Sequence, residues 1–260
     1  MRRSVPVLMY HALESDNCPC GSDDPGELVY VVNVDEFKKQ INYLYENGYK
    51  TITSLDILAN DSLPEKPIMI GFDDGHESNY TMAMPILNEY GFKAEIYITT
   101  GWIGSPHYLA SEQIIALYKN GMVIGSHGET HRLFNDLSEA EIIEELVNSK
   151  SALESIIGEK IVIFAAPGGR YNEMTLRCLK DLNYKVAYTS DIGVINEKTD
   201  KYKIPRIAIK KNTTMDEFKK IAAIDKGYIY KKVIFGKMLN VAKRLLGNRL
   251  YTTARNNLVK

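Results

Sequence analysis

The chain has 260 residues, 45% of them hydrophobic and 25% charged, with a formal net charge of −1. That balance suits one large globular domain with a full core and excludes a disordered chain, and no apolar run reaches the roughly 18 residues of a membrane-spanning helix. The near-zero net charge hides an asymmetry: residues 226–260 carry nine Lys or Arg and no Asp or Glu, which leaves a net charge of −10 on residues 1–225.

Residues 5–10 are an apolar run suited to a first buried strand, which ends at His11 and gives way to a polar loop over 12–30. Phe37, Ile41 and Leu44 recur at helical spacing, Gly48 closes that helix, and 49–53 reads as a short strand before a helix capped by Ser54. Pro64 and Pro67 precede the run Ile68-Met69-Ile70-Gly71-Phe72, which stops at Asp73-Asp74-Gly75 and is followed by a helix over 77–90. Next come a strand at 94–99, a loop holding Trp102 and His107, a helix from Ser111 closed by Gly121, and a strand at 122–125 that ends in Ser126-His127. Ser138 and Glu141 form a capping box for a helix carrying Ile142, Leu146, Leu153 and Ile157. The strand at 161–164 ends in Ala165-Ala166-Pro167-Gly168-Gly169, and a helix at 172–182, strands at 186–189 and 205–209 and a helix at 216–223 complete the alternation. About eight strands alternating with helices, without a repeated unit, predict an α/β fold, a (β/α) barrel or a closely related layered form.

Four predicted strands end in groups able to do chemistry: His11, Asp73 with Asp74, the segment His127-Gly128-Glu129-Thr130-His131, and the Pro167-Gly168-Gly169 turn. Loops at the carboxyl ends of strands are where α/β folds bind ligands. Taken alone, Asp-Asp-Gly equally fits a solvated turn that caps a helix. His127 and His131 stand four apart and share a face if that segment is helical; with a carboxylate from another strand end they make a two-histidine, one-carboxylate set with open positions, although such a pair also occurs by chance on surfaces. Neighbouring residues at a strand end point to different sides, so one Asp can ligate a metal while the other serves as general base. His11 has the near-neutral pKa of a general acid, or is a satisfied strand-end histidine. Gly168 and Gly169 would let a backbone N–H approach an oxyanion closely, and the same triplet is also a common bare turn. Trp102, Tyr108 and Tyr171 could stack on a sugar or belong to the core. Three cysteines, Cys18, Cys20 and Cys178, are too few for a disulfide framework, and Cys18-Pro19-Cys20 lacks the two-residue spacer of a zinc or redox motif.

Phe72-Asp73-Asp74-Gly75, the His127 and His131 pair and the turn Phe164-Ala165-Ala166-Pro167-Gly168-Gly169 resemble, in this order and spacing, the polysaccharide deacetylases of the NodB-homology class, carbohydrate esterase family 4. Pro6-Val7-Leu8-Met9-Tyr10-His11 and Pro205-Arg206-Ile207 resemble the subgroup that includes poly-β-1,6-N-acetylglucosamine deacetylases. The resemblance covers roughly residues 5–223. It implies a distorted (β/α) barrel of about seven to eight strands over residues 1–225 that hydrolyses an N-acetyl group from an amino sugar with one divalent metal. Zinc is the first choice of metal, and cobalt, nickel or iron would also suit the ligand set. By position Asp73 matches the family's general base, Asp74, His127 and His131 its metal ligands, and His11 the subgroup's acid; Pro167, Gly168, Gly169 and Tyr171 fall in the substrate and oxyanion region. Gly128 stands where the family usually has Ser or Thr, and Ala165 where many members carry an Arg that holds the base aspartate. His76 and His107 have no family counterpart and are expected at the surface or rim, and Asp191 receives no role.

In the tail, Ile229, Val233, Ile234, Met238, Val241, Leu245 and Leu246 recur at spacings of three to four with Lys and Arg between them, which predicts a basic amphipathic helix within residues 226–260. Such a helix can lie on an anionic membrane surface or pack on the barrel. The acidic body argues against nucleic acid. The expected partner is an N-acetylated carbohydrate, free, polymeric or lipid-linked, and the expected location is cytoplasmic, with peripheral contact at the inner face of the membrane if the tail binds lipid. A deformylase or a non-sugar amide hydrolase with the same metal site is an alternative, as is a carbohydrate-binding domain without catalysis.

Overall fold

The computed structural model describes residues 4–21, 24–59 and 62–236. Six parallel strands run in sequence order: β1 (Val5–Tyr10), β2 (Pro67–Phe72), β3 (Glu95–Ile98), β4 (Val123–Ser126), β5 (Ile163–Ala165) and β6 (Val186–Tyr188). Each pairs with the next, as in Val7 opposite Met69 and Ile163 opposite Val186. Parallel neighbours require crossovers, and helices supply them: α1 (Val34–Glu46), α2 (Met84–Glu89), α3 (Ser111–Lys119), α4 (Glu139–Ile157) and α5 (Glu173–Asp181), with α6 (Met215–Ala222) following the last strand.

The sheet curls because the segment 204–208 bridges its two ends. Ile204 pairs with Tyr188 of β6, while β7 (Ile207–Ala208) pairs in parallel with Leu8 and Met9 of β1. The expected distorted barrel is therefore present, with one thin segment closing it. Alternation along the strands sends side chains to two buried faces. Val5, Val7, Met69, Tyr97, Ile163 and Tyr188 fill the interior, and Leu8, Tyr10, Ile68, Ile70 and Phe72 meet Phe37, Ile41 and Leu44 of α1 outside it. Each such fully buried side chain contributes about 1.5–3 kcal/mol.

Several predicted boundaries shift for local reasons. The strand expected at 49–53 is only Lys50–Thr51 on the edge of β2, and the one expected at 205–209 shortens to β7, since Pro205 has no N–H for a ladder. The helix expected over 77–90 opens with a π-helical turn, Asn79–Ala83, before α2. Pro85 cannot donate to the carbonyl four residues earlier, which breaks the regular ladder at that point. The expected polar loop 12–30 is more ordered than its composition suggests. Leu13–Glu14 pairs with Val32–Asn33, Pro25–Leu28 forms one helical turn capped by Asp24, and the Leu13 N–H reaches Ser78 Oγ at 2.9 Å. The capping box of α4 forms as expected, Ser138 accepting from the Glu141 N–H and Gly158 closing the helix at φ +76°. Of the expected tail helix, residues 226–236 are helical; residues 237–260 lie outside the described part.

Candidate active site and metal centre

The carboxyl ends of β1, β2, β4 and β5 and the closing segment meet around two adjacent carboxylates. Asp73 and Asp74 follow β2 directly and are 3% and 8% exposed. The Asp73 N–H donates to the Tyr10 carbonyl at 2.9 Å, which ties the end of β2 to β1. Asp74 then turns into the left-handed region at φ +75°, with Gly75 at φ +82°. For a non-glycine residue that conformation costs about 1–3 kcal/mol and is retained where the surroundings enforce it. A Cβ on Gly75 would lie 3.1 Å from Ile98 Cγ2. Gly75 thus lets the turn press against β3, and the strained turn sends the two carboxylates to different partners.

Asp73 faces inward and pairs with Arg206, whose Nη1 and Nη2 donate to Oδ1 and Oδ2 at 2.6 and 2.8 Å. Both residues are buried, and Arg206 Nε donates to the Thr189 carbonyl at 3.0 Å. The Tyr97 and Tyr188 rings lie 5.3 and 5.8 Å from the guanidinium carbon, and the Tyr97 hydroxyl donates to buried Glu95. Burial alone would raise the Asp73 carboxyl, but the Arg206 charge keeps it below the ordinary carboxylate range. An arginine does hold this aspartate, then: Ala165 stands where the resemblance would place one, and the closing segment supplies it instead.

Asp74 faces the histidines. Its Oδ1 is 3.4 Å from His127 Nε2 and 3.3 Å from His131 Nε2, and its Oδ2 is 3.6 Å from His76 Nε2. Burial pushes this carboxyl up, and the surrounding imidazoles reverse the shift and hold it well below its usual value. His127 Nδ1 lies 2.8 Å from the Ala165 carbonyl oxygen, which can only accept, so Nδ1 carries the proton and Nε2 presents a lone pair. Buried Asp74 Oδ1 has no hydrogen-bond partner. One ligand atom from each of Asp74, His127 and His131 lies within 4.8 Å of the other two. A buried carboxylate oxygen without a donor, facing imidazole nitrogens of which at least one offers a lone pair, is the donor set of a divalent cation, so these residues fit the metal that the resemblance implies.

The loop between the two histidines is not helical, contrary to the simplest reading of their spacing. Gly128 has φ +81° and His131 φ +60°. Glu145 of α4, 3% exposed, holds the loop: its Oε2 accepts from the Glu129 and Thr130 N–H groups at 2.7 and 3.0 Å, and its Oε1 from the Thr130 hydroxyl. A Cβ at Gly128 would come within 3.1 Å of that same Oε2 and 3.3 Å of the Phe134 ring. Arg132 reinforces the attachment through Glu141 at 2.6 Å.

Around this centre the other expected residues divide. His11 follows β1, is half-buried, stacks on Tyr30 at 4.6 Å and has no partner at Nδ1. Burial lowers its pKa, opposed by the charges of Asp74 and Asp73, so the ring is neutral near pH 7. Trp102 lies against His131 at 5.0 Å and against Tyr108 at 4.8 Å, whereas Tyr171 packs against the main core. Pro167–Gly169 forms a 3-10 turn in which the Gly169 N–H is already taken by the Ala166 carbonyl at 2.8 Å, so it is not free for an oxyanion. His107 is exposed, as expected. His76 is not at the surface: it is 6% exposed and stacked on Tyr108 at 4.9 Å, because the turn after Gly75 folds back toward Asp74. Cys18, Cys20 and Cys178 are free thiols, and no metal cluster other than Asp74, His127 and His131 occurs among the described residues.

A profile of the polysaccharide deacetylase family matches residues 60–187, which include Asp73, Asp74, His127 and His131. YxkH of Bacillus subtilis (strain 168), named as a polysaccharide deacetylase, is 32% identical over 209 residues, covering 79% of this chain and 71% of its own length. The chain belongs to the polysaccharide deacetylase family. This chain is therefore a hydrolase of carbon–nitrogen bonds other than peptide bonds, in a family whose members are metal-dependent. The poly-β-1,6-N-acetyl-D-glucosamine N-deacetylase of Staphylococcus aureus (strain MSSA476) is 28% identical over 199 residues, covering 69% of this chain and 68% of its own. Among solved structures, the deacetylase PplD of Streptococcus pyogenes, in complex with acetate, superposes with a TM-score of 0.76 at 28% identity, covering 85% of this chain and 98% of that one.

Sequence reasoning missed two residues of this family member's site, Arg206 and Glu145. For Arg206 the only signal was its place beside Pro205 in the subgroup motif. For Glu145 there was a signal: it lies on the same helical stripe as Ile142, Leu146 and Ser149, where a carboxylate is out of place unless it is fully hydrogen-bonded.

Proposed function

We propose that this polysaccharide deacetylase removes the N-acetyl group from an amino sugar in a glycan, with one zinc ion held by Asp74, His127 and His131. The observation that carries the proposal is the division of labour between adjacent carboxylates, Asp74 turned to the imidazoles and Asp73 fixed by Arg206. When bound, the ion supplies a Lewis acid for the amide carbonyl and makes water more acidic. Asp73 accepts the proton from the attacking water; its charge is held by Arg206, and each of its oxygens keeps a further lone pair for that proton. His11 is neutral at rest, so it carries a proton drawn from solvent to the leaving amine nitrogen as the bond from that nitrogen to the acyl carbon breaks, and Asp73 returns to solvent the proton it took from water, which restores both groups. Trp102 and Tyr108 offer aromatic faces beside His131 on which a sugar ring can rest. The first substrates to try are β-1,6-linked N-acetylglucosamine oligomers, in line with the names of the Staphylococcus aureus relatives.

The test is Asp73→Asn. The substitution keeps the shape and the Asp74 set but leaves the Arg206 charge without its partner, so in protein shown by circular dichroism to be folded zinc stoichiometry should stay at one per chain while acetate release falls by about 10²–10⁴-fold. Undiminished release would remove Asp73 from the chemistry. Loss of bound zinc would assign it to the metal site instead.

A further inference from the structure

Residues 226–236 form a helix that leaves the barrel after α6, and one face of it is already occupied. Ile229 is buried, Tyr228 and Val233 pack against the main core, and the Tyr228 hydroxyl donates to Glu217 at 2.8 Å. At about 100° per residue, Tyr230, Ile234 and Phe235 fall on the opposite face, with Lys231 among them. These three are 67%, 42% and 62% exposed. Two aromatic rings and an isoleucine stand out from the described part of a helix whose other face is seated, and form an apolar surface that is exposed among the described residues.

Charge identifies that partner. Residues 226–260 contain nine Lys or Arg and no acidic residue, while residues 1–225 carry a net charge of −10. The net charge of the body therefore repels an anionic partner, and that of the tail attracts one. Nucleic acid would meet the charge but has no apolar layer for Ile234 and Phe235. A second copy docked through this same face would bring like charges together. An anionic lipid surface meets both requirements, because its headgroups attract lysines and the acyl boundary just beneath takes up aromatic and aliphatic side chains. We propose that the outward face of the 226–236 helix docks the chain on anionic membranes through Tyr230, Ile234 and Phe235, with Lys226 and Lys231 contacting headgroups. Among the described residues no helix is long and apolar enough to cross a membrane, so this is contact at the surface.

The experiment is co-sedimentation of the full chain with vesicles of phosphatidylcholine alone or mixed with phosphatidylglycerol, which reads binding without depending on catalysis. Binding should be at least about tenfold tighter to the mixed vesicles and should weaken as salt rises. The triple variant Tyr230→Ser, Ile234→Ser, Phe235→Ser should lose about tenfold or more of it. Its circular dichroism and Tm should not change, since all three side chains are outside the core. Lys226→Gln with Lys231→Gln should lower affinity and flatten the salt dependence. No binding to mixed vesicles, equal binding to both kinds, or a triple variant that binds like the parent chain would each overturn the proposal. So would concentration-dependent self-association that the triple variant abolishes in the absence of vesicle binding, which would give the face to a second copy.

Discussion

Asp73 and Arg206 form a buried ion pair whose value lies in being complete. Two charges out of water cost several kcal/mol each to desolvate, and the bidentate contacts at 2.6 and 2.8 Å offset that only together. Replacing Arg206 by Met leaves a bare carboxylate and should destabilise the fold by about 3–5 kcal/mol, read by chemical denaturation. Asp73→Asn added to Arg206→Met should recover most of the loss, since no buried charge then remains. The pH dependence follows with a definite sign. With Arg206 present the folded carboxyl titrates below its unfolded value, so its contribution to stability is full above the ordinary carboxylate range and is lost as pH falls through the lowered folded value. Without Arg206, burial is opposed only by the more weakly acting His127 and His11 and raises the folded pKa, so the acid limb of both stability and activity should move to higher pH. An unmoved acid limb would mean that Arg206 does not govern Asp73. The sequence made the two carboxylates visible because they interrupt an apolar strand, but nothing local links position 73 to position 206.

At the scale of elements, α4 supports the metal loop as well as covering the sheet. Its Glu145 gathers three donors from the two residues before His131, and its Glu141 holds Arg132 just after it. Glu145→Ala would leave two part-buried backbone N–H groups without their acceptor and release a loop whose backbone includes two left-handed residues, Gly128 and His131. Zinc affinity, measured by chelator competition, should fall by about 10–100-fold, as for other residues that orient ligands without touching the metal. Unchanged affinity would reduce Glu145 to a structural part of α4. Legibility here was uneven. The capping box and the apolar stripe of α4 could be read because both are local patterns with fixed spacing. The loop itself could not, since its shape depends on a carboxylate that arrives 15 and 16 residues later in the chain.

For the whole molecule, the alternation of apolar runs and helical stripes was enough to anticipate a barrel of parallel strands, because each element's period is set by its own residues. How the barrel closes was not legible. Segment 204–208 contains Pro205 and only a two-residue ladder, a weak strand signal, yet it joins β6 to β1 and carries Arg206 into the centre. His76 was misplaced for a related reason: the chain after Gly75 turns inward, which an Asp-Gly-His sequence does not reveal. The site therefore rests on closure of the sheet, with β2 supplying both carboxylates, β4 leading into His127 and β5 providing the carbonyl that fixes its tautomer. The most direct test of the proposal that Asp74, His127 and His131 hold the catalytic metal is acetate release from N-acetylglucosamine oligomers by zinc-loaded protein, run beside Asp74→Ala. The expected result is release by the parent chain with zinc bound at one per chain, and loss of both in the variant. Release that persists unchanged in Asp74→Ala would contradict it.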